Sequence, residues 1–363
     1  MEVSVRHPRI KREHQPVLLG GGRIRIGGHV PGIARDVLDP DGWVWAMLEA
    51  LDGSRSVEQV ISHVVSLFPT KPKRQVRAAI EDFVQAGYVE DAGESPPADL
   101  TVAEVERYSR GRALFSWMDL VPRRSSWDAQ LQLRQARVVV VGLGGVGGAA
   151  ALALTLSGVG HIHCVEPDVV ELSNLNRQIL FTDEDIGKSK VDAAMGRLRA
   201  YNSGAMVTGE QTVVDTPGVL RALAVTCDVL LLAADQPLEI RSWTNRVCHA
   251  TGTAWVHGGY HGPQVVAGLY RPGAGPCYEC ARVTGRPPRA AQRPRAGMHA
   301  ANAVSANLAG LLAAHAAMSL ITGVPALRVG SQFGFNLVTL RESVAGSTGE
   351  PRPDCPTCGQ GGA

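Results

Sequence analysis

The sequence predicts an α/β fold, a mostly parallel sheet with helices on both faces, preceded by a small winged helix-turn-helix domain. Three observations predict it. Beyond about residue 137, apolar β-branched runs of strand length alternate with helical patterns, as a parallel sheet requires. A glycine-rich turn, Gly142-Leu143-Gly144-Gly145-Val146-Gly147, joins the first of these runs to a helix. Upstream, residues 16–90 read as a hairpin, three helices and a returning strand.

In the first module, Val17–Leu19 and Arg23–Ile26 are predicted strands around Gly20-Gly21-Gly22. Trp43–Leu51 has helical apolar spacing and ends at Asp52-Gly53. Ser56-Val57-Glu58-Gln59 is a capping box that opens a second helix to about Leu67. A third helix, about Lys73–Gln85, stops at Gly87, and Tyr88-Val89 returns as a strand. These elements define a domain over residues 1–93, a proline-bearing linker over 94–104 and a second domain over 105–363. In the second domain the predicted strands are Val138–Val141, Ile162–Val165, Val229–Ala233, Ala254–Val256 and Val265–Tyr270. Gly148–Leu156, Ser189–Tyr201 and Leu238–His249 are the predicted helices.

Composition narrows the function. The 363 residues are 45% hydrophobic and 19% charged, which suits a globular chain with a real core. A net charge of +2 argues against bulk attraction to nucleic acid. Met1–Gln15 has no signal-peptide core. Ala300–Val324 is apolar but interrupted by Asn302, Asn307 and His315, which favours a buried helix over a membrane span. A cytoplasmic location is expected. There the seven cysteines are thiols or metal ligands rather than disulfides.

The glycine turn carries the chemistry. Glycines at this bend let backbone N–H groups approach phosphate oxygens, and the helix N-terminus adds favourable dipole charge. Glu166 ends the next strand, at the spacing of a ribose-binding acid in a Rossmann-like fold. Taken alone, this pattern would serve NAD as well as ATP. Gly187-Lys188-Ser189 mimics the end of a Walker A loop, but Thr182 occupies the place of its first glycine.

The following residues decide between nucleotides. Val165-Glu166-Pro167-Asp168, Ser173-Asn174-Leu175-Asn176-Arg177-Gln178 and Gly187-Lys188-Ser189-Lys190 resemble the signature of the ubiquitin-activating-enzyme superfamily. Its bacterial members include the sulfur-carrier adenylyltransferases of thiamin and molybdopterin synthesis. The resemblance runs from about Arg107 to the C-terminus. It implies that a carboxylate attacks the α-phosphorus of ATP, leaving pyrophosphate and an acyl-adenylate. It assigns phosphate binding to Arg177 and Lys190, with Asn174 positioning them, Mg²⁺ to Asp235 and ribose to Glu166. Gly142, Gly144, Gly145, Gly147, Asp168 and Gln178 complete the implied nucleotide site. Arg107-Tyr108-Ser109-Arg110 resembles the family's Arg-Tyr-x-Arg segment, which implies that Arg110 reaches a partner's ATP in a homodimer. Two departures are Glu166 for the usual Asp and Ala234-Asp235-Gln236 for Thr-Asp-Asn.

Cys277/Cys280 and Cys355/Cys358 form two C-x₂-C pairs, suited to a tetrahedral structural Zn²⁺; a redox disulfide or a catalytic thiol are the alternatives. Cys164, Cys227 and Cys248 read as core residues. Family members that form a thioester use a cysteine after the first zinc pair. Here Ala281–Gly297 has none and instead carries Arg282, Arg286, Arg289, Arg293 and Arg295, as a loop over the site or a solvated linker.

The first module has two readings. Lys71, Lys73, Arg74 and Arg77 at the third helix would suit DNA. Gly22–Asp91 also resembles the precursor-peptide recognition domain of ribosomal-peptide modification systems, which implies a leader peptide adding to the hairpin edge. Fusion to an adenylyltransferase favours the peptide, because tethering raises the effective substrate concentration. The expected function is therefore Mg-ATP-dependent adenylation of a carboxylate on a precursor peptide, as in microcin-type and pantocin-type maturation enzymes. The expected partners are that peptide and a second copy of the chain, with neither nucleic acid nor membrane. The alternatives are activation of a sulfur carrier ending in Gly-Gly, or a leader-binding scaffold for a cyclodehydratase.

Overall fold

The computed structural model describes residues 5–282, 300–342 and 349–359. The chain divides into two compact units, Met1–Leu131 and Gln132–Ala363.

In the first unit, β1 (Pro8–Ile10) precedes a three-stranded antiparallel sheet of β2 (Val17–Gly20), β3 (Arg23–Ile26) and β4 (Arg35–Leu38), in the order β2-β3-β4. Gly20, Gly21 and Gly22 all have positive φ, which explains three successive glycines at the β2–β3 turn. Alternation along β3 buries Ile24 and Ile26 completely. They pack with Met47 of α1 (Trp43–Ala50), Val60 and Ile61 of α2 (Val57–Leu67), and Val76 and Ile80 of α3 (Lys73–Gln85). The capping box at Ser56 forms with both of its reciprocal bonds. The strand expected to complete a wing, β5 (Val89–Asp91), pairs instead with β1, so the hairpin gains β4 and not β5. Helix α4 (Val102–Met118) starts at a Thr101–Glu104 capping box, and Lys11 donates to the Asp119 carbonyl at 2.7 Å. The first unit therefore runs well past residue 93, through the expected linker. Beyond residue 93, Tyr108, Trp127 and Leu100 form a small core of their own. Helix α5 (Asp128–Gln135) spans the division between the units.

The second unit holds an eight-stranded sheet among the described residues, ordered β13-β12-β11-β10-β9-β6-β7-β8. Its strands are β6 (Arg137–Val141), β7 (His161–Val165), β8 (Met206–Glu210), β9 (Val229–Leu232), β10 (Ala254–His261), β11 (Gln264–Tyr270), β12 (Ser331–Asn336) and β13 (Arg341–Glu342). Pairings from β8 to β10 are parallel, and those from β10 to β13 are antiparallel. The parallel strands β6 and β9 are almost wholly apolar, as strands covered on both faces must be. Helices α8 (Pro217–Ala224) and α9 (Ile240–Thr251) cover one face, packing Leu220, Ile240 and Val247 on Val139, Leu230 and Trp255. Helix α7 (Lys190–Tyr201) lies along β7 and β8, and the short α10 (Tyr278–Arg282) follows β11.

The opposite face is closed by α6 (Gly145–Leu156) and α11 (Ala303–Thr322). Both are rich in Gly and Ala, so their backbones approach closely. A Cβ at Gly310 would clash with the Val146 carbonyl and lie 2.9 Å from Ala149 Cβ. Helix α11 is long and apolar enough to cross a membrane, yet 56% of that window is buried within the molecule, matching the core helix expected there.

Overpacking at this crossing has a measurable cost. Gly310→Ala should lower stability in urea denaturation by about 1–3 kcal/mol. Gly196→Ala on α7, where an added Cβ meets nothing within 4 Å, should leave stability unchanged or raise it by up to about 1 kcal/mol. Equal behaviour of the two variants would contradict the packing described.

Candidate active site

The site is assembled at the C-terminal ends of β6, β7, β9 and β10, where parallel sheets place ligands. Gly142 leaves β6 with φ +93°, and a Cβ there would lie 2.8 Å from the Ala234 nitrogen. A Cβ on Gly147 would collide with the Gly142 carbonyl, and one on Gly145 would lie 2.7 Å from Ala306 Cβ. Gly144 caps α6, and the first N–H groups of a helix are suited to hold an anion. All four predicted glycines are thus required by close approach or by backbone conformation, or sit at the helix entry.

Glu166, at the end of β7, is 5% exposed. Its Oε2 accepts from the Leu143 N–H at 2.6 Å, and its Oε1 accepts from the Asp168 N–H at 3.1 Å. The carboxylate therefore braces the glycine loop in addition to any contact with ribose. Lys190, the first residue of α7, is buried, with Nζ 3.1 Å from Asp168 Oδ2 and 4.0 Å from Glu166 Oε1. The cation predicted for phosphate is held by the two acids that precede it in the signature.

The hexapeptide forms a short 3₁₀ turn, Leu172–Asn174, and its continuation. Buried Asn174 accepts from the Glu171 N–H at 3.1 Å, which shapes the turn. Arg177 is half-buried and donates to the Ser173 carbonyl and to Asn176 Oδ1, both at 2.8 Å. Gln178 is buried beside the loop, with its Oε1 unpartnered and its Nε2 3.9 Å from the place of a Gly144 Cβ. Asp235 follows β9 and is exposed, an accessible oxygen donor of the kind Mg²⁺ takes. Arg110 is exposed on α4 of the first unit. Arg286, Arg289, Arg293 and Arg295 lie outside the described residues.

Tyr260 on β10 was not predicted. Arg177 donates to its hydroxyl oxygen, and the charge of Asp235 acts on it. Tyr260 thereby links the expected phosphate-binding arginine to the expected metal-binding aspartate. Burial raises its pKa and Arg177 opposes the rise, so it is a neutral hydroxyl near pH 7. The available signal was positional: Gly258-Gly259-Tyr260 ends an apolar run beside β9, where a parallel sheet binds its ligand.

Cys277, Cys280, Cys355 and Cys358 bring their sulfurs within 4.8 Å of one another. The Cys277–Cys280, Cys277–Cys355 and Cys280–Cys358 separations are 3.9, 3.5 and 3.3 Å. A tetrahedral tetrathiolate around Zn²⁺ has sulfur edges of about 3.8 Å. The Arg352 N–H points at Cys280 Sγ at 3.5 Å, an outer contact of the kind that supports metal thiolates. This cluster could hold a metal ion. The other three thiols differ: burial pushes Cys164 and Cys227 up to about 12 and raises Cys248 as well. They are inert core groups, as expected from sequence.

Comparison with known proteins settles the lineage. The ThiF family matches residues 119–357. The chain belongs to the ThiF family. A SAMP-activating enzyme E1 from Haloferax volcanii is 31% identical over 264 residues, 72% of this chain and 92% of that one. The molybdopterin-synthase adenylyltransferase of Escherichia coli is 33% identical over 186 residues, 50% of this chain and 70% of its own. The chain spans about half the length of some longer relatives, covering 48% of an Arabidopsis thaliana adenylyltransferase and sulfurtransferase. Among solved structures, E. coli MccB with MccA-N7isoASN superposes with TM-score 0.77 at 22% identity, over 97% of this chain and 99% of that one. MccB has also been solved with ATP, at TM-score 0.74, 22% identity and the same coverage. This ThiF-family chain is an E1-like adenylyltransferase.

If Glu166 braces the loop, Glu166→Ala leaves the Leu143 N–H buried without an acceptor. We expect a stability loss of about 1–3 kcal/mol in thermal denaturation. The melting shift produced by ATP should shrink in parallel. A variant as stable as the parent would refute the brace.

Proposed function

We propose that this ThiF-family enzyme adenylates a carboxylate on a ribosomally made precursor peptide whose leader is held by the first unit. The observation that carries the reading is that the likeness to MccB extends over 97% of the chain, so it takes in the first unit as well as the ThiF region. MccB is described as a microcin C7 biosynthetic enzyme and has been solved with N-formylated MccA. The first unit offers a fitting edge. Among the described residues β4 pairs only with β3, which leaves its other side open to an added strand, and Leu38 on it is 75% exposed. Apolar side chains of a leader would pack toward α3.

In the reaction, a carboxylate oxygen of the peptide forms a bond to the α-phosphorus of ATP. The bond from that phosphorus to the bridging oxygen breaks, and pyrophosphate leaves with its electron pair. Arg177 and Lys190 offset charge on the phosphates, and N–H groups at the start of α6 donate to phosphate oxygens. Mg²⁺ held by Asp235 would supply further charge neutralisation on the phosphates. Tyr260 fixes the Arg177 guanidinium from the β10 side. Glu166 serves the ribose and the loop together, with Asp168, Asn174 and Gln178 shaping the pocket wall. We assign Arg110 to a second copy's nucleotide in a homodimer. The four cysteines take a structural Zn²⁺: four thiolates leave no open position for substrate.

Sulfur-carrier activation is the second reading, favoured by the names of the relatives at 31–33% identity. A binding scaffold is a poorer fit, because Arg177, Lys190 and Asp235 retain the character of a nucleotide site.

Pyrophosphate release should require ATP and a precursor peptide, and should fall at least 100-fold in Arg177→Ala. Undiminished release from that variant would remove Arg177 from the site. Release driven by a Gly-Gly carrier protein but by no peptide would select the second reading, and failure to bind Mg-ATP in calorimetry would select the scaffold. Elemental analysis should give one zinc per chain, lost in Cys280→Ser together with thermal stability. Full stability without the metal would contradict a structural role.

A further inference from the structure

Arg241 is the second residue of α9 and is half-buried. Among the described residues it has neither a hydrogen bond nor an ion pair. Two physical costs meet there. A cation taken partly out of water needs an anionic partner to offset its lost hydration. A helix N-terminus carries positive dipole charge, so a cation in the first turn is disfavoured again.

A guanidinium nitrogen lies 3.3 Å from where a Gly259 Cβ would be, so the side chain rests against bare backbone of β10. Its charge also acts on two rings. His257 and Tyr270 stack at an interplanar angle of 15°, and both are fully buried. Burial, with Arg241 adding to it, holds His257 down at about 3, so the imidazole is neutral. Its Nδ1 is buried and unpartnered.

Alternation along β10 separates this place from the nucleotide. Gly258 faces α6 and α11, where its Cβ would lie 2.8 Å from Val146 Cγ1 and 2.9 Å from the Ala309 carbonyl. Tyr260, two residues on, packs on that same side with Val146 and Ala309. Gly259 faces the other way, toward α9. Arg241 therefore sits one residue along β10 from the group that holds Arg177, but across the sheet from the glycine loop.

We propose that Arg241 binds a second carboxylate of the acyl donor, carried on the activated residue or next to it. The guanidinium's planar fork would take that carboxylate in a bidentate pair. The chain would then cross the end of β10 and present its reacting carboxyl to the nucleotide on the far side. Arg241 anchors the donor and leaves the attacking oxygen free of a strong counter-charge. This rests on the adenylation reading and adds a donor preference: an acidic C-terminal or near-terminal residue.

The test uses the full chain, with its metal as purified and with Mg·ADP bound. Saturation-transfer NMR compares acetyl-Gly-Asp with acetyl-Gly-Asp-amide, acetyl-Gly-Asn and acetyl-Gly-Asn-amide. These carry both carboxylates, the side-chain one, the terminal one and none. We expect acetyl-Gly-Asp to bind at least tenfold tighter than the fully amidated probe, and the two intermediate probes to show which carboxylate Arg241 holds. Arg241→Met should lose that tenfold preference with ADP affinity unchanged within twofold, and Arg241→Lys should keep part of it. Wild-type protein that binds ADP but binds all four probes alike overturns this proposal and leaves adenylation standing. So does an Arg241→Met variant that retains the preference, or one that loses ADP affinity while Arg241→Lys shows no partial rescue. Wild-type protein that fails to bind ADP overturns the adenylation reading itself.

Discussion

The nucleotide site depends on one carboxylate. Glu166 receives the Leu143 N–H from the turn after β6 and the Asp168 N–H from the turn after β7. It also lies 4.0 Å from the ammonium that opens α7. Three segments distant in sequence are thereby fixed to each other at a buried point. The glycine loop needs this. Four of its six residues are glycines, and its conformation rests on a positive φ at Gly142 and on steric contact at Gly147. A loop so rich in glycine keeps its form while something outside it holds its far side. A longer acid than the usual aspartate suits that task, since its two oxygens reach N–H groups in two different turns.

That arrangement sharpens how adenylation is accomplished. Lys190 does not wait as a mobile surface cation. It is buried, aligned by Asp168 and set at a helix start. Arg177 is tied by its own turn and by Tyr260. In the proposed reaction, cations fixed in this way would need little rearrangement as charge shifts toward the leaving pyrophosphate. The inert thiols fit the same picture. Cys164, Cys227 and Cys248 are held protonated by burial, so none of them is poised to accept an acyl group.

Much of this was legible in the sequence where local chemistry decides. The α2 capping box, α3 from Lys73 to Gln85, the strand–glycine–helix entry and the cysteine pairs depend on residues close together or on strongly marked spacing. Elements decided by tertiary pairing were not legible. β4 reads Arg35-Asp36-Val37-Leu38, too polar for a core strand, and it forms because β3 offers an edge. β1 is three residues long and exists through its pairing with Val89–Asp91. The domain limit near residue 93 followed a Gly-Pro-rich composition. The first compact unit extends past that stretch, and Leu100, Tyr108 and Trp127 pack together beyond it. Tyr260 escaped notice for a related reason. A tyrosine after two glycines has no distinctive spacing, and its importance arises from the place where β10 ends.

β10 also acts as a partition between two kinds of recognition. Its pleat turns Gly258 and Tyr260 toward α6 and α11, and Gly259 toward Arg241. Displacing the strand by one residue would exchange these directions and leave both Arg177 and Arg241 with the wrong neighbour. Gly258, where an added Cβ would lie 2.9 Å from the Ala309 carbonyl, resists that displacement by excluding any side chain from its place. Insertions or deletions within β10 should therefore be far less tolerated in descendants of this sequence than in the β10–β11 turn. Selectivity for new donors would then evolve by exchanging side chains on α9, with the strand itself held constant.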